Sequence, residues 1–94
     1  MKIKVCGITR EEDIAELLLA RVDFIGFNFI KSSPRYIDIN WAVNIISKYN
    51  IQKKAVPLCE ISDLKTVHHK LKNLDLPFYQ IYKVHDSSNQ IEKF

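Results

Sequence analysis

The pattern of hydrophobic and polar residues changes period several times along the chain, at nearly even intervals. Lys2 to Cys6 alternates as a half-buried strand does, whereas Asp23 to Phe29 is a β-branched and aromatic run, typical of a strand buried on both faces. Two more strands are predicted, from Lys53 to Cys59 and from Phe78 to Tyr82. Because Pro57 cannot donate a hydrogen bond to a sheet, the third strand is expected to be bulged or short at that residue, or wrongly assigned there.

Three helices are predicted between these strands. The first follows a capping box from Thr9 to Glu12, in which the Thr9 hydroxyl would accept the Glu12 amide hydrogen. Asn40 is expected to cap the second helix, and Ser62 is expected to begin the third. Apolar residues recur at helical spacing in all three, namely Ile14, Leu17, Leu18 and Val22, then Ala42, Ile45, Ile46 and Tyr49, then Leu64, Val67, Leu71 and Leu74. The tail from residue 85 to 94 is polar, and its pattern favours no element.

A strand followed by a helix recurs roughly every 25 residues, which predicts the α/β class with a parallel sheet and right-handed crossovers. Two architectures share this pattern, a small doubly wound sheet and the first half of a (β/α)8 TIM barrel. The periodicity does not choose between them. A single domain over residues 1–94, with about three and a half β-α units, is expected in either case.

Length, charge and hydropathy exclude several classes of function. No stretch approaches 18 uncharged apolar residues, so no membrane span is expected. The net charge of +3 comes from 14 basic residues dispersed among 11 acidic ones, which argues against nucleic-acid binding. The apolar run at the N-terminus is too short for a signal peptide, and a cytoplasmic location is expected.

Glycine, cysteine and histidine usage argues against phosphate loops, metals and cofactors. Gly7 and Gly26 are the only glycines, so no glycine-rich phosphate-binding loop is present. Cys6 and Cys59 lie far apart and have no further ligand at metal-binding spacing, so both are expected to be free thiols. The adjacent pair His68-His69 would fall on different sides of a helix. We therefore expect no metal site.

Cys6 and Arg35 are the candidate functional residues. Cys6 ends the first predicted strand, directly before Gly7 and the amino end of the first helix, where helix amides favour a thiolate. The alternative is a buried cysteine that only fills the core. Arg35 follows the second strand, and its guanidinium could bind a carboxylate or phosphate, although many loop arginines are only solvated. Because parallel strands end at one edge of the sheet, the two residues are expected at the same rim.

Three segments around these residues resemble the amino-terminal part of phosphoribosylanthranilate isomerase, an enzyme of tryptophan biosynthesis. They are Lys4–Arg10, Asp23–Phe29 and Ser32–Ile37, of which the first and the last stand at the family's order and spacing. The resemblance is strong from Lys2 to about Asn50 and weaker afterwards. Val56–Glu60 lacks the glycine and the valine-asparagine ending usual in the family's third strand, and Gln80–Lys83 lacks the Leu-His-Gly that usually follows the fourth strand's glutamine.

The resemblance implies the first half of a TIM barrel and an intramolecular aldose-ketose isomerase. The family carries out an Amadori rearrangement of N-(5-phosphoribosyl)anthranilate to 1-(2-carboxyphenylamino)-1-deoxyribulose 5-phosphate. Carried over by motif, Cys6 would be the general base at C2, and Arg35 would face the carboxylate of this small phosphorylated sugar-anthranilate substrate. No metal or organic cofactor is implied. The family's aspartate acid and its phosphate-binding loops belong to the second half of the barrel, so the 94 residues alone are expected to show little or no activity.

Two alternatives stay open beside the isomerase. The chain could be a non-catalytic barrel remnant that survives as a self-associating α/β module, or an unrelated small α/β binding domain. An open sheet would leave the first and fourth strands as unpaired edges. A homodimer through these open sheet edges, or poor solubility, is therefore expected.

Overall fold

The computed structural model describes residues 2–83 and 86–93 of the chain. It contains the strands β1 (Lys4–Val5), β2 (Phe24–Asn28), β3 (Ala55–Glu60), β4 (Phe78–Lys83) and β5 (Asp86–Lys93), and the helices α1 (Glu11–Leu19), α2 (Ile39–Tyr49) and α3 (Leu64–Leu71). Short 3-10 turns, Ile61–Asp63 and Lys72–Leu74, flank α3. Within the described part of the chain, no helix has the length and apolar character that a membrane span requires.

The sheet has the order β1-β2-β3-β4-β5, and its first four strands run parallel. The predicted parallel α/β unit is thus confirmed. β5 returns antiparallel along the whole of β4. The expectation that β4 is an open edge is therefore wrong, because a strand from the polar tail, whose pattern favoured no element, pairs with it. Residues 85 and 94 of that tail lie outside the described residues.

Pro57 lies inside a continuous strand, contrary to the expected bulge. It pairs in register with Phe27, and the neighbouring pairs on β2 follow without a shift. The amide hydrogens of Ile25 and Phe29 bond to the carbonyl oxygens of Lys54 and Leu58. The even-numbered residues of β3 therefore direct their own amide nitrogens and carbonyl oxygens toward β2. The nitrogen of Pro57 therefore faces β4, whose pairing with β3 begins one residue later, at Leu58.

The caps of α1 and α2 differ from the sequence prediction. Arg10, in an extended conformation, occupies the N-cap of α1 and makes no side-chain cap bond, so the predicted capping box from Thr9 is wrong. The Arg10 guanidinium instead contacts the Asp13 carboxylate at 2.8 Å. Asp38, rather than Asn40, caps α2, since its carboxylate accepts the amide hydrogens of residues 40 and 41 in the first turn.

The α3 helix is preceded by a turn rather than a cap. The chain passes directly from β3 into the 3-10 turn Ile61–Asp63, and α3 begins at Leu64 instead of Ser62. Asp63 occupies the N-cap position without a side-chain bond to the helix. The connection between β3 and α3 is therefore much shorter than the loop of ten residues, 29–38, that joins β2 to α2.

The main core lies between the helices and one face of the sheet. Its buried members include Ile14 from α1, Ile45 and Ile46 from α2, Val67 and Leu71 from α3, and Ile25, Phe27, Ala55, Cys59 and Tyr79 from the strands. The strand members alternate along β2 and β3, as expected when one face of a pleated sheet is covered. The intervening strand residues point to the opposite face, where the candidate site lies.

Candidate functional site at the carboxyl ends of the strands

A cavity of about 130 Å³ opens at the carboxyl ends of the parallel strands. We call it the rim cavity; it is lined by Cys6, Gly7, Gly26, Asn28, Arg35, Leu58 and Gln80. The structure therefore brings Cys6 and Arg35 together, as the shared direction of the strands predicts. Sequence reasoning did not single out Asn28, Leu58 or Gln80 as parts of this site.

The Cys6 side chain is exposed to the cavity rather than buried. The core-filler alternative is therefore wrong for Cys6, and it describes Cys59 instead, which is fully buried beneath the helices. Residues 7–10 separate Cys6 from Glu11, the first helical residue, so the thiol does not directly precede α1 along the chain. Cys6 is thus presented by the end of a strand and its following turn.

Gly7 places the Arg35 guanidinium next to the residue that carries the thiol. Its φ of +78° lies in the left-handed region, which glycine adopts without strain. A Cβ at this position would lie 2.8 Å from Arg35 Nη1 and still closer to Arg35 Cδ. The Arg35 side chain therefore lies directly on the Gly7 backbone, and the absence of a side chain there is what permits the approach.

Gly26, on β2, makes room for Cys6 in the same way. A Cβ at position 26 would lie 3.1 Å from Cys6 Cα and 3.3 Å from Cys6 Sγ. These separations are tighter than ordinary van der Waals contact, and one of the groups is backbone, so β1 would have to shift. The two glycines of the chain thus both serve this one cavity.

Asn28, the last residue of β2, organises the loop that carries Arg35. Its Oδ1 accepts the amide hydrogen of Ile30 at 2.8 Å, and its Nδ2 donates to Ser33 Oγ at 3.1 Å. Ser33 Oγ also accepts the Arg35 amide hydrogen at 3.1 Å. An uninterrupted chain of hydrogen bonds therefore runs from a strand of the sheet to the backbone of Arg35. A single asparagine in an apolar strand is the sequence signal that could have indicated this role.

Lys4 and Gln80 meet across the face of the sheet that carries the cavity. Lys4 Nζ donates a hydrogen bond to Gln80 Oε1, although the two residues belong to β1 and β4 and are separated by two strands. Phe24 and Phe78 also meet on this face, with ring centroids 5.7 Å apart. Contacts between such distant strands require a strongly curved sheet, so this face is concave.

The charge of the rim cavity suits an anionic ligand. Among the seven described residues that line it, Arg35 is the one charged residue, and none carries a carboxylate. A guanidinium can hold a carboxylate through two parallel hydrogen bonds. Among the residues that the structure describes, no group of three histidine, cysteine or carboxylate side chains could hold a metal ion.

Cys59 has the opposite electrostatic environment to an active thiol. Burial raises its pKa to about 11, and the negative charge of Asp63 adds to the rise. The thiol therefore stays neutral at physiological pH and packs as a small apolar side chain.

Comparison with curated proteins identifies phosphoribosylanthranilate isomerases and a tryptophan biosynthesis protein as relatives. The N-(5'-phosphoribosyl)anthranilate isomerase of Chlorobaculum tepidum is 54% identical over 46 residues, which make up 49% of this chain and 21% of that protein. The tryptophan biosynthesis protein TrpCF of Yersinia pestis is 35% identical over 92 residues, or 96% of this chain and 19% of that protein. The chain thus spans about a fifth of the length of these two relatives. No protein-family model matches it.

Solved structures match the fold over most of the chain. The monomers generated from a dimeric phosphoribosylanthranilate isomerase of Thermotoga maritima give a TM-score of 0.76 at 24% identity, over 89% of this chain and 43% of that one. A phosphoribosylanthranilate isomerase in complex with reduced 1-(o-carboxyphenylamino)-1-deoxyribulose 5-phosphate gives 0.74 at 23% identity, over the same shares. These matches select the TIM barrel over the doubly wound sheet. The chain is therefore a partial homologue of phosphoribosylanthranilate isomerase, an enzyme of tryptophan biosynthesis, and its parallel α/β unit matches part of that enzyme's barrel.

Proposed function

We propose that the rim cavity is the part of a phosphoribosylanthranilate isomerase site that binds the anthranilate carboxylate and removes the C2 proton. Arg35 binds the carboxylate and Cys6 is the general base. The observation that carries this proposal is the packing of Arg35 on Gly7, which places a cation beside an exposed thiol in one cavity. The substrate is a small phosphorylated sugar joined to anthranilate.

The proposed chemistry needs a base but no metal or cofactor. Once the sugar ring has opened to the iminium, the positive nitrogen acidifies the proton on C2. The Cys6 thiolate takes that proton, and the C–H electron pair forms the C1–C2 double bond of an enolamine while neutralising the nitrogen. Protonation of C1, with loss of the hydroxyl proton on C2 as that carbon becomes the carbonyl, then gives the 1-amino-1-deoxyketose. Arg35 contributes by binding the anthranilate carboxylate, which holds C2 of the sugar close to the Cys6 sulfur.

Ring opening and phosphate binding require further groups. Protonating the ring oxygen needs an acid, yet the lining side chains of the rim cavity include no carboxylic acid. Neither Gly7 nor Gly26 forms a phosphate-binding loop, because both are occupied by contacts with Arg35 and Cys6. We therefore expect the 94 residues alone to bind the anthranilate end of the substrate but to show little or no turnover.

The binding proposal is tested by the alkylation of Cys6. Iodoacetamide should modify exposed Cys6 and spare buried Cys59, as followed by peptide mass spectrometry. Anthranilate should slow the modification of Cys6, and Arg35→Ala should abolish the protection. Arg21→Ala, which removes an exposed arginine after α1, serves as the matched control and should leave the protection unchanged. Equal protection in wild type and Arg35→Ala would show that Arg35 does not bind the carboxylate.

The role of Cys6 as base needs a chain that turns over substrate. The 94 residues joined to the complementary strands of a phosphoribosylanthranilate isomerase provide one, with Cys6→Ser as the test and Cys59→Ser as the control. We expect Cys6→Ser to lower kcat by at least about a hundredfold, because a serine hydroxyl is a far weaker base than a thiolate. Normal turnover by Cys6→Ser would remove Cys6 from the mechanism.

Self-association is a second, separate proposal. With β4 covered by β5, the edges of the described sheet are β1 and β5, so a homodimer would form through one of these strands rather than through β4. Sedimentation equilibrium tests this directly. A dimer lost on substituting Ile3, which is half exposed beside β1, by lysine would support the β1 edge, and a monomer at all concentrations would contradict the proposal.

A further inference from the structure

We propose that Asn28, acting through Ser33, is the positioning residue that holds Arg35 over Gly7. This inference deepens the proposed function, since it takes the Arg35 guanidinium as the group that binds the ligand carboxylate. It adds two residues with a specific task, neither of which needs to touch the ligand.

Asn28 fixes the loop at three points. Its side-chain oxygen holds the amide of Ile30 at the start of the loop, and its backbone oxygen accepts the amide hydrogen of Ile37 at the end, at 2.9 Å. Its side-chain nitrogen bonds to Ser33 in the middle. Asn28 thus bonds to the beginning, the middle and the end of the loop that carries Arg35.

Ser33 connects Asn28 to the backbone of Arg35. The same hydroxyl oxygen that accepts from Asn28 also accepts the backbone amide hydrogen of Arg35. The Ser33 carbonyl oxygen accepts the amide hydrogen of Tyr36 at 3.1 Å, which closes a turn around Arg35. The backbone amides of Arg35 and Tyr36 therefore both bond to Ser33, which Asn28 links to β2.

The arrangement matters because Arg35 is exposed. A long exposed side chain on a free loop samples many rotamers and backbone positions, and binding would have to order them all. With its backbone fixed, only the side-chain torsions remain to be ordered, and the Gly7 surface restricts those. Anchorage should therefore strengthen carboxylate binding without adding a contact to the ligand.

Two readouts test the proposal on the 94-residue chain. The first is amide hydrogen exchange by NMR. Asn28→Ala should speed exchange at Ile30, whose partner is the Asn28 side chain, but not at Ile37, whose partner is the backbone of residue 28. Ser33→Ala should speed exchange at Arg35 and leave Ile30 unchanged. Uniform acceleration across the loop, or none, would overturn the proposed connectivity.

The second readout is the anthranilate concentration that half-protects Cys6 from iodoacetamide. Asn28→Ala and Ser33→Ala should each raise it about fivefold, the equivalent of one ordinary hydrogen bond, while Ser33→Thr retains the hydroxyl and should restore protection. Asn44→Ala, on the exposed side of α2, is the matched control. The double variant Asn28→Ala/Ser33→Ala should raise the half-protecting concentration no further than Asn28→Ala alone, since Asn28 acts on Arg35 through Ser33.

The outcomes separate this proposal from the function on which it rests. If anthranilate does not protect the wild-type chain, the proposed function fails, and the exchange pattern alone decides whether Asn28 and Ser33 anchor Arg35. If the wild type is protected and both alanine variants are protected equally well, the positioning role is wrong. Should Asn28→Ala prove unfolded, the pair Ser33→Ala and Ser33→Thr decides instead.

Discussion

The two faces of the sheet differ in almost every physical respect. The face toward the helices carries Ile25, Phe27 and Cys59, all fully buried, and makes the main core. The concave face carries Gly26, Asn28 and Gln80 around the rim cavity, with Phe24 and Phe78 deeper in the curve and only half buried. Apolar packing therefore dominates the face toward the helices, whereas the concave face combines an aromatic pair with hydrogen bonds and close backbone approaches around the cavity.

This difference separates stability from candidate chemistry within the same strands. In β2, Phe27 packs under the helices while its neighbours Gly26 and Asn28 serve the cavity, because successive side chains of a strand point to opposite faces. Changes on the helix side should alter the free energy of unfolding, whereas changes on the cavity side should alter binding. The following three predictions test that division.

The largest effect is expected for Phe27→Ala. Phe27 has no exposed surface, so the substitution removes a fully packed ring and leaves a cavity, which should lower the free energy of unfolding by about 3–5 kcal/mol. Phe24→Ala, on the concave face of the same strand, should cost less than half as much. Urea denaturation of both variants measures the difference. An equal loss in the two would contradict the division between faces.

The next effect concerns the dependence of stability on pH through Cys59. An unfolded thiol ionises near its ordinary pKa of 9.0, whereas burial raises the native pKa to about 11. Below pH 9 the Cys59 thiol is protonated in both the folded and the unfolded state, so its contribution to stability is fully present. As the pH rises toward 11, the unfolded chain loses this proton first, and the free energy of unfolding falls. The loss should be about 2 kcal/mol, the order given by a shift of this size.

Cys59→Ala isolates that contribution. Its free energy of unfolding should decline less between pH 9 and pH 11 than that of the wild type, as measured by urea titrations at each pH. Parallel curves for Cys59→Ala and wild type would show that the buried thiol does not govern the alkaline limit.

The smallest effect on stability, but a large one on binding, is expected for Gly7→Ala. A side chain in the left-handed region costs about 1–2 kcal/mol, and the added methyl group would displace Arg35. Asn50→Ala is the control, because residue 50 also has a positive φ, of 54°, but ends α2 away from the cavity. Gly7→Ala alone should lose the anthranilate protection of Cys6. Protection retained by Gly7→Ala would show that Arg35 does not depend on this contact.

Much of the fold could be predicted because strand and helix alternate with distinct periods. The same alternation predicted that Cys6 and Arg35 meet, since the ends of parallel strands share an edge. The effect of Pro57 could not be predicted, because it depends on which neighbour the proline nitrogen faces, and that follows from the pairing register. β5 was missed for a related reason, since a strand that pairs by its backbone need not have an apolar pattern.

The finer parts of the site depend on tertiary geometry that no local pattern encodes. Asn28 and Ser33 are five residues apart and look like ordinary loop-forming side chains until the loop closes on the strand. Lys4 and Gln80 are 76 residues apart, and their contact depends on the curvature of the whole sheet. Residue identity indicated a thiol and a guanidinium at the rim, but not what supports them.

The antiparallel return of β5 has a consequence for how the sheet could grow. β5 pairs with β4 from Phe78 to Lys83, so the outer hydrogen-bonding side of β4 is already taken. A closed barrel has a parallel strand at that position, and adding one first requires the hydrogen bonds between β4 and β5 to break. Any completion of the barrel past β4 is therefore a strand exchange, opposed by the hydrogen bonds that this hairpin-like pairing already makes.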